Sequence, residues 1–190
     1  MFETVVIDDI VDTVKQKHIH DMLMTADWKF LMDVSGVQNT YPSHGFAHVL
    51  KYPNGLLSPL YEEISPHILD SISSGNYKIK ENYYNRSFLQ LPLAAKYMKE
   101  HNGIHVDLPK EIPHVACVYY VNNSDGDTII YEQTINDTPG GSNNVQLIEH
   151  KRVEPKRGRI VMFDGSRYHC SSQPTINYRC IINFDLIMEQ

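Results

Sequence analysis

The stretch Pro113-His114-Val115-Ala116-Cys117-Val118-Tyr119-Tyr120-Val121-Asn122, then Ser124-Asp125-Gly126-Asp127, then Thr128-Ile129-Ile130-Tyr131-Glu132-Gln133, decides the fold. Two runs of β-branched and aromatic residues flank a cluster of turn formers, which reads as strand, tight turn, strand. The same grammar continues on both sides. Upstream, residues 77–91 are rich in Tyr, Ile and Phe and predict an extended strand, and 92–100 a short helix ending at His101-Asn102-Gly103. Downstream, a loop at 139–144 precedes a predicted strand over 145–150. Pro155-Lys156-Arg157-Gly158 turns into a strand over 159–164, and 178–188 forms the last one. Short strands at this spacing predict an antiparallel sandwich or barrel.

The first third mixes helix and strand. Val5-Val6-Ile7 is a short strand candidate, and Asp8 or Asp9 can cap a helix carrying Ile10, Val11, Val14, His18, Met22 and Leu23. Ser58-Pro59 and Ser65-Pro66 both have the form of an N-cap followed by proline, and the second helix should stop at Gly75. No repeat, low-complexity tract or linker interrupts the chain. The simplest organisation is one domain over residues 1–190, with 1–75 as a helical and mixed support and 76–190 as the β core.

The composition narrows the function classes. A 42% hydrophobic share can fill a core, and a net charge of −6 argues against a sequence-independent grip on nucleic acid. The one basic cluster, Lys151-Arg152 with Lys156-Arg157 and Arg159, is broken by Glu154 and Pro155 and reads as a solvated turn. No apolar run is long enough to span a bilayer, and the first nine residues lack a basic n-region and cleavage site, so the expectation is a soluble cytoplasmic protein. Cys117, Cys170 and Cys180 form no C-x-x-C pair and read as small buried hydrophobes. No residue pattern assigns an oligomeric state.

The chemistry begins at Gly103-Ile104-His105-Val106-Asp107. Alternation in a strand puts His105 and Asp107 on one face, giving two of the three ligands of a 2-His-1-carboxylate iron(II) site; the plain alternative is an exposed strand end. His169 follows the apolar stretch 158–164 in Gly165-Ser166-Arg167-Tyr168-His169, where a loop can project it into a cavity. Ten positions on, Arg179 stands inside Tyr178-Arg179-Cys180-Ile181-Ile182-Asn183-Phe184. A guanidinium in so apolar a strand is costly to bury unless an anion meets it. A dicarboxylate cosubstrate suits its fork, and an ion pair with an acidic neighbour is the alternative. By parity Arg179, Ile181 and Asn183 face one way, and Cys180, Ile182, Phe184 and Leu186 face the other, towards the helices. Ala116, Val118 and Tyr120 likewise share a face, with the Tyr120 hydroxyl beside Arg179.

Taken together in order, His105-Val106-Asp107, then Val118-Tyr119-Tyr120-Val121-Asn122 with Gly126 and Thr128, then Pro155, Gly158 and Phe163, then His169 and Arg179, the sequence resembles the Fe(II)/2-oxoglutarate-dependent dioxygenases. Within them it is similar to the prolyl 4-hydroxylase-like branch, over roughly residues 76–188. The resemblance implies a mainly β fold with N-terminal α-helices, a cupin-like double-stranded β-helix or jelly roll. It implies His105, Asp107 and His169 as iron ligands, Arg179 as partner of the distal carboxylate of 2-oxoglutarate, and Tyr120 as a hydrogen-bond donor to that carboxylate. Dioxygen is then the oxidant, 2-oxoglutarate leaves as succinate and carbon dioxide, and ascorbate is an optional accessory. Family members that halogenate lack the carboxylate ligand, so Asp107 favours hydroxylation. Two departures stand out. The usual Gly-Gly of the hairpin is Gly126-Asp127, and the Ser or Thr near the arginine is replaced, with Asn183 as the candidate donor in that part of the pocket.

The resemblance favours a prolyl residue of a peptide or protein, or a free amino acid, as substrate. A small molecule or alkylated nucleic acid is the alternative oxygenase substrate, and a non-redox cupin-like metal protein the alternative class. Asn82 and Tyr84 are read on one face of the strand before the iron motif, either as cavity residues touching substrate or cosubstrate or as ordinary cross-strand packing. His44 and His48 have the spacing of a helical zinc pair, but Pro42 and Gly45 make a loop the expectation. His18 and His20 fall on opposite sides of a helix, and His67, His101, His114 and His150 are read as surface or strand-end residues. Trp28 and the loop 41–46 are candidates for a lid or substrate wall.

Overall fold

The computed structural model describes residues 2–34, 44–75, 77–94, 102–138, 141–142 and 145–189. In chain order the elements are β1 (Val5–Ile7), α1 (Thr13–Met24), β2 (Lys29–Leu31), β3 (Gly45–Tyr52), β4 (Gly55–Leu56), α2 (Leu60–Ser74) and β5 (Ile79–Gln90). Then follow β6 (Val115–Tyr120), β7 (Thr128–Thr134), β8 (Glu149–Val153), β9 (Ile160–Asp164), β10 (Arg167–Ser171) and β11 (Arg179–Met188).

All six residues of β6 are buried because both of its faces are covered. Val115, Cys117 and Tyr119 join Ile19 and Leu23 of α1, Ile64, Ile68 and Ile72 of α2, and Cys180, Ile182 and Phe184 of β11 in one apolar cluster. Ala116, Val118 and Tyr120 point the opposite way and pack with Val161, Phe163, Ile181, Ile130 and Val153 in a second. β6, β9 and β11 belong to an eight-stranded sheet ordered β1-β9-β6-β11-β5-β3-β2, with β4 beside β3. Ile130 and Val153 come from a three-stranded sheet ordered β10-β7-β8. Every strand pairing among the described residues is antiparallel. The molecule is therefore two sheets closed over an apolar interior, with the two helices on the outer face of the larger sheet. That is the expected jelly roll, mainly β with N-terminal helices. No helix among the described residues is long and apolar enough to cross a membrane.

Several boundaries differ from the sequence reading. The cap of α1 is Asp12, which accepts from Lys15 N at 2.9 Å. Asp8 is engaged elsewhere, by Arg159 Nε at 2.6 Å, and Asp9 sits in a turn with φ 50°. Ser58 accepts from Leu60 N at 3.2 Å and α2 stops at Gly75 as expected, but α2 runs through Pro66 as one helix. Ser65 is buried inside it rather than capping it. Gly45 opens a strand where a loop was expected, since a Cβ there would meet Leu89 O at 2.4 Å and only glycine lets β3 approach β5. Residues 92–94 are not helical, with Leu93 N donating to Pro174 O at 3.0 Å, and the remainder of that predicted helix lies outside the described residues. β8 begins at Glu149 rather than at 145, where the Gln133 side chain takes the Ile148 N–H at 2.9 Å. The N-terminal third supplies strands and helices, as its mixed reading had it, and its strands β1 and β3 join the larger sheet.

Candidate active site

His169 is held on a strand, β10, and not in a loop beyond one. Asp164 Oδ1 accepts from Ser166 N at 3.0 Å, fixing the turn that sends the chain straight back as β10 beside β7. His105 then adds itself to the free edge of β10. Its N–H donates to His169 O at 3.0 Å, and His169 N–H donates to His105 O at 2.9 Å. This single antiparallel bridge places the two rings 4.6 Å apart, and Asp107 joins them from the same face two residues on. Ligand atoms of His105, Asp107 and His169 all lie within 4.8 Å of one another. Asp107 Oδ2 is 3.1 Å from His169 Nε2, and Oδ1 is 3.9 Å from His105 Nε2.

Each imidazole is oriented by a backbone carbonyl. His105 Nδ1 donates to Gly103 O at 2.8 Å and His169 Nδ1 to Arg167 O at 3.2 Å, which leaves both Nε2 lone pairs for a metal. Burial, then the neighbouring His169, hold His105 below its ordinary pKa. Burial pulls His169 down too, but the Asp107 carboxylate outweighs it and holds His169 above its ordinary value. Burial opposes the charge on Asp107, yet Arg86 and His169 keep its carboxyl well below the usual range. Two imidazole nitrogens and one carboxylate, facing a cavity of about 490 Å³, form a donor set that fits iron(II) with coordination positions to spare, a metal taking the place of any proton His169 shares with Asp107.

Arg179 lines the same cavity and is 5% exposed. Its Nε donates to Gly126 O at 2.8 Å and its Nη2 to Thr128 Oγ1 at 2.9 Å, both neutral acceptors. No carboxylate among the described residues pairs with it, and burial lowers its pKa. A buried cation without an anion, beside a metal-binding cluster, fits a carboxylate ligand. Gly126 is needed for this approach, since a Cβ there would stand 3.0 Å from Arg179 Cδ.

Tyr120 does not line the cavity. Its hydroxyl donates to Thr128 Oγ1 at 2.7 Å, so it acts on the pocket through Thr128. Thr128 receives hydrogen bonds from Tyr120 and Arg179 and keeps its own hydroxyl proton for a ligand. Asn183 lines the cavity, and its buried Oδ1 has no partner.

Asn82 and Tyr84 do not share a face. The register of β5 against β11 shifts between Asp185 and Leu186, so Tyr84 opposes Asp185 while Asn82 opposes Leu186 on the helix side. This bulge breaks the alternation on which the sequence reading rested. Asn82 Nδ2 donates to Tyr61 of α2 at 3.2 Å, which removes it from the cavity. Tyr84 stacks on Tyr52 at 4.9 Å and carries the Arg86 guanidinium 4.2 Å over its ring. Trp28 is structural, its Nε1 donating to Leu23 O at 2.9 Å; Leu31, Asp33 and Val34 line the mouth instead. Residues 41–43 and His101 lie outside the described residues.

Three buried groups were missed. Arg86 Nη2 donates to Asp107 Oδ1 at 2.7 Å and to Asp185 Oδ2 at 3.1 Å. Asp185 Oδ1 is 3.9 Å from Nε2 of His114, which stands at the end of β6 as one of the two expected placements had it, with its side chain 2% exposed. Burial, then Asp107, push Asp185 up to about 7. The signal was present, since Arg86 and Asp185 are charges inside strand sequences just as Arg179 is.

No family model and no curated protein matches the sequence. Solved structures do. A 2OG-Fe(II) oxygenase family oxidoreductase from Burkholderia pseudomallei superposes with a TM-score of 0.67 at 12% identity, over 96% of this chain and 84% of that one. This chain has the fold of the 2-oxoglutarate–iron(II) oxygenases. A prolyl-4-hydroxylase from Pseudomonas putida shares that oxygenase fold with a TM-score of 0.59 at 14% identity, over 98% of this chain and 92% of that one. So does HygX from Streptomyces hygroscopicus, solved with nickel, 2-oxoglutarate and hygromycin B, at 0.58 and 12% identity, over 96% and 82%.

Proposed function

We propose that this protein is an iron(II)- and 2-oxoglutarate-dependent oxygenase that hydroxylates a C–H bond, with the whole chain as one oxygenase domain. The observation that carries the reading is Arg179. A buried guanidinium with only neutral partners shares one cavity with His105, Asp107 and His169. A non-redox metal protein has no use for such an anchor, whereas a dicarboxylate cosubstrate requires one.

In this reading His105 and His169 hold iron(II) through Nε2 and Asp107 holds it through a carboxylate oxygen. Arg179 takes the distal carboxylate of 2-oxoglutarate, Thr128 donates its hydroxyl to the same group, and Tyr120 fixes Thr128 from behind. Asn183 presents an amide to the same pocket. Val118 and Ile181 give the carbon chain a dry wall and exclude water from it. Iron and 2-oxoglutarate, once bound, supply with dioxygen the oxidation of substrate, leaving succinate and carbon dioxide. The substrate enters past Leu31, Val34, Phe88, Gln90 and Asn102, an apolar wall with amides that suits a peptide or amino acid. The fold shared with the Pseudomonas putida prolyl-4-hydroxylase supports a prolyl residue as target.

Succinate release from 2-oxoglutarate under air, with and without iron(II), tests the assignment over a panel of prolyl peptides, free amino acids, small molecules and alkylated nucleotides. Iron-dependent succinate, lost on His105→Ala and on Asp107→Ala and stimulated most by a prolyl peptide, is the expected result. Equal succinate from parent and Asp107→Ala protein overturns the metal centre.

A further inference from the structure

Asp107 has two oxygens, and only one is left for a metal. Oδ2 lies 3.1 Å from His169 Nε2, among the nitrogen ligand atoms, while Oδ1 accepts from Arg86 Nη2 at 2.7 Å. Arg86 is itself fixed on three sides. Its guanidinium lies 4.2 Å over the Tyr84 ring, the same Nη2 donates to Asp185 Oδ2 at 3.1 Å, and Phe88 stands 5.8 Å away on the other flank. Asp185 is 0% exposed, and behind it stands His114, locked by the close approach of Gly165. The result is a buried chain of contacts running from the large sheet through Arg86 to the carboxylate of the candidate metal centre.

We infer that Arg86 is a positioning residue: held by Tyr84 and Asp185, it occupies Oδ1 of Asp107 and so presents Oδ2 alone to the metal. The inference rests on the metal-centre reading given above. It assigns Arg86 a role opposite in sign to what its charge alone dictates. A cation beside a ligand carboxylate repels an incoming divalent ion, so as a mere counter-charge Arg86 weakens metal binding, and its removal tightens binding. As a positioning residue it pre-organises the carboxylate, and its removal loosens binding, as for other partners that orient metal ligands. The planar guanidinium matters as well, because a lysine ammonium keeps the charge but has no flat surface to lie over the Tyr84 ring and so is not held in the same place.

The experiment measures Mn(II) dissociation constants without dioxygen for the parent, Arg86→Gln, Arg86→Lys and His105→Ala, together with the visible spectrum of each protein saturated with Co(II). Circular dichroism of the metal-free proteins establishes that each is folded. The expected result is Mn(II) binding weakened about 10–100-fold in Arg86→Gln, with Co(II) bands altered in position and intensity. Arg86→Lys should also bind more weakly than the parent despite keeping the charge, and it decides the question if Arg86→Gln does not fold. Binding by Arg86→Gln as tight as the parent or tighter, an unchanged Co(II) spectrum, or Arg86→Lys equal to the parent overturns the positioning role. Failure of the metal centre itself has a different signature, namely no Mn(II) binding by the parent or equal binding by His105→Ala.

Discussion

Thr128 carries the cosubstrate pocket at the scale of single residues. Its hydroxyl joins Tyr120 to Arg179, so Thr128→Val leaves two buried donors short of an acceptor and removes the donor to the ligand. With a hydrogen bond to a charged group worth about 1.5–3 kcal/mol, 2-oxoglutarate binding should weaken roughly 10- to 100-fold while Mn(II) binding stays as in the parent. Parallel losses of both would contradict this division of labour. Asp185 gives a pH dependence. Its folded pKa of about 7 lies above the unfolded value of 3.8, so the folded state holds a proton that the unfolded state lacks between those limits. Stability from this group is thus present below about pH 4 and lost as pH rises through 7, by on the order of 4 kcal/mol at most. Asp185→Asn does not titrate, so its stability relative to the parent should rise between pH 4.5 and 8 in urea unfolding of the metal-free protein. A constant difference across that range would remove the buried, protonated Asp185 from the account. The sequence exposed Arg179 because a charge in an apolar strand needs an anion. The same argument applies to Arg86 and Asp185, but their partners come from β5, β11 and the loop before β6, and no local pattern brings those together.

Among the elements, alternation carried the reading where strands are regular and failed where they bulge. β11 places Arg179, Ile181 and Asn183 on the cavity and Cys180, Ile182 and Phe184 on the helices, as parity demands. In β5 one extra residue puts Asn82 against Tyr61 and Tyr84 under Arg86. A bulge leaves no mark in a stretch as uniform as Glu81-Asn82-Tyr83-Tyr84-Asn85. His169 illustrates a second limit, since Arg167–Ser171 mixes polar and aromatic residues and becomes a strand only by pairing with β7. Ser65 illustrates a third. It has the form of a helix cap, yet its hydroxyl donates to Asn85 Oδ1 at 2.6 Å, a fully buried bond joining α2 to β5. Ser65→Ala should therefore cost about 1–3 kcal/mol in urea unfolding, whereas an idle serine there would cost nothing measurable.

For the molecule as a whole, the cavity is built by convergence. The larger sheet contributes Arg86, Arg179, Ile181 and Asn183 and the smaller one Thr128 and His169, and residues 105–107 join the two, His105 bridging to His169 and Asp107 accepting from Arg86. A metal bound there reaches only the folded state and so stabilises it by mass action. At about 100 times its dissociation constant the gain is about 2.7 kcal/mol, and for a chain of this size Mn(II) should raise Tm by about 5–10 °C. His105→Ala should abolish the shift, and a shift retained in that variant would place the ion elsewhere.

The central claim is that one cavity holds a metal at His105, Asp107 and His169 and a dicarboxylate at Arg179. Titration calorimetry of 2-oxoglutarate into the Mn(II)-loaded protein without dioxygen tests it most directly. One molecule should bind per chain, Arg179→Met should bind Mn(II) normally and lose the 2-oxoglutarate, and no binding to the parent or equal binding to Arg179→Met would contradict the claim.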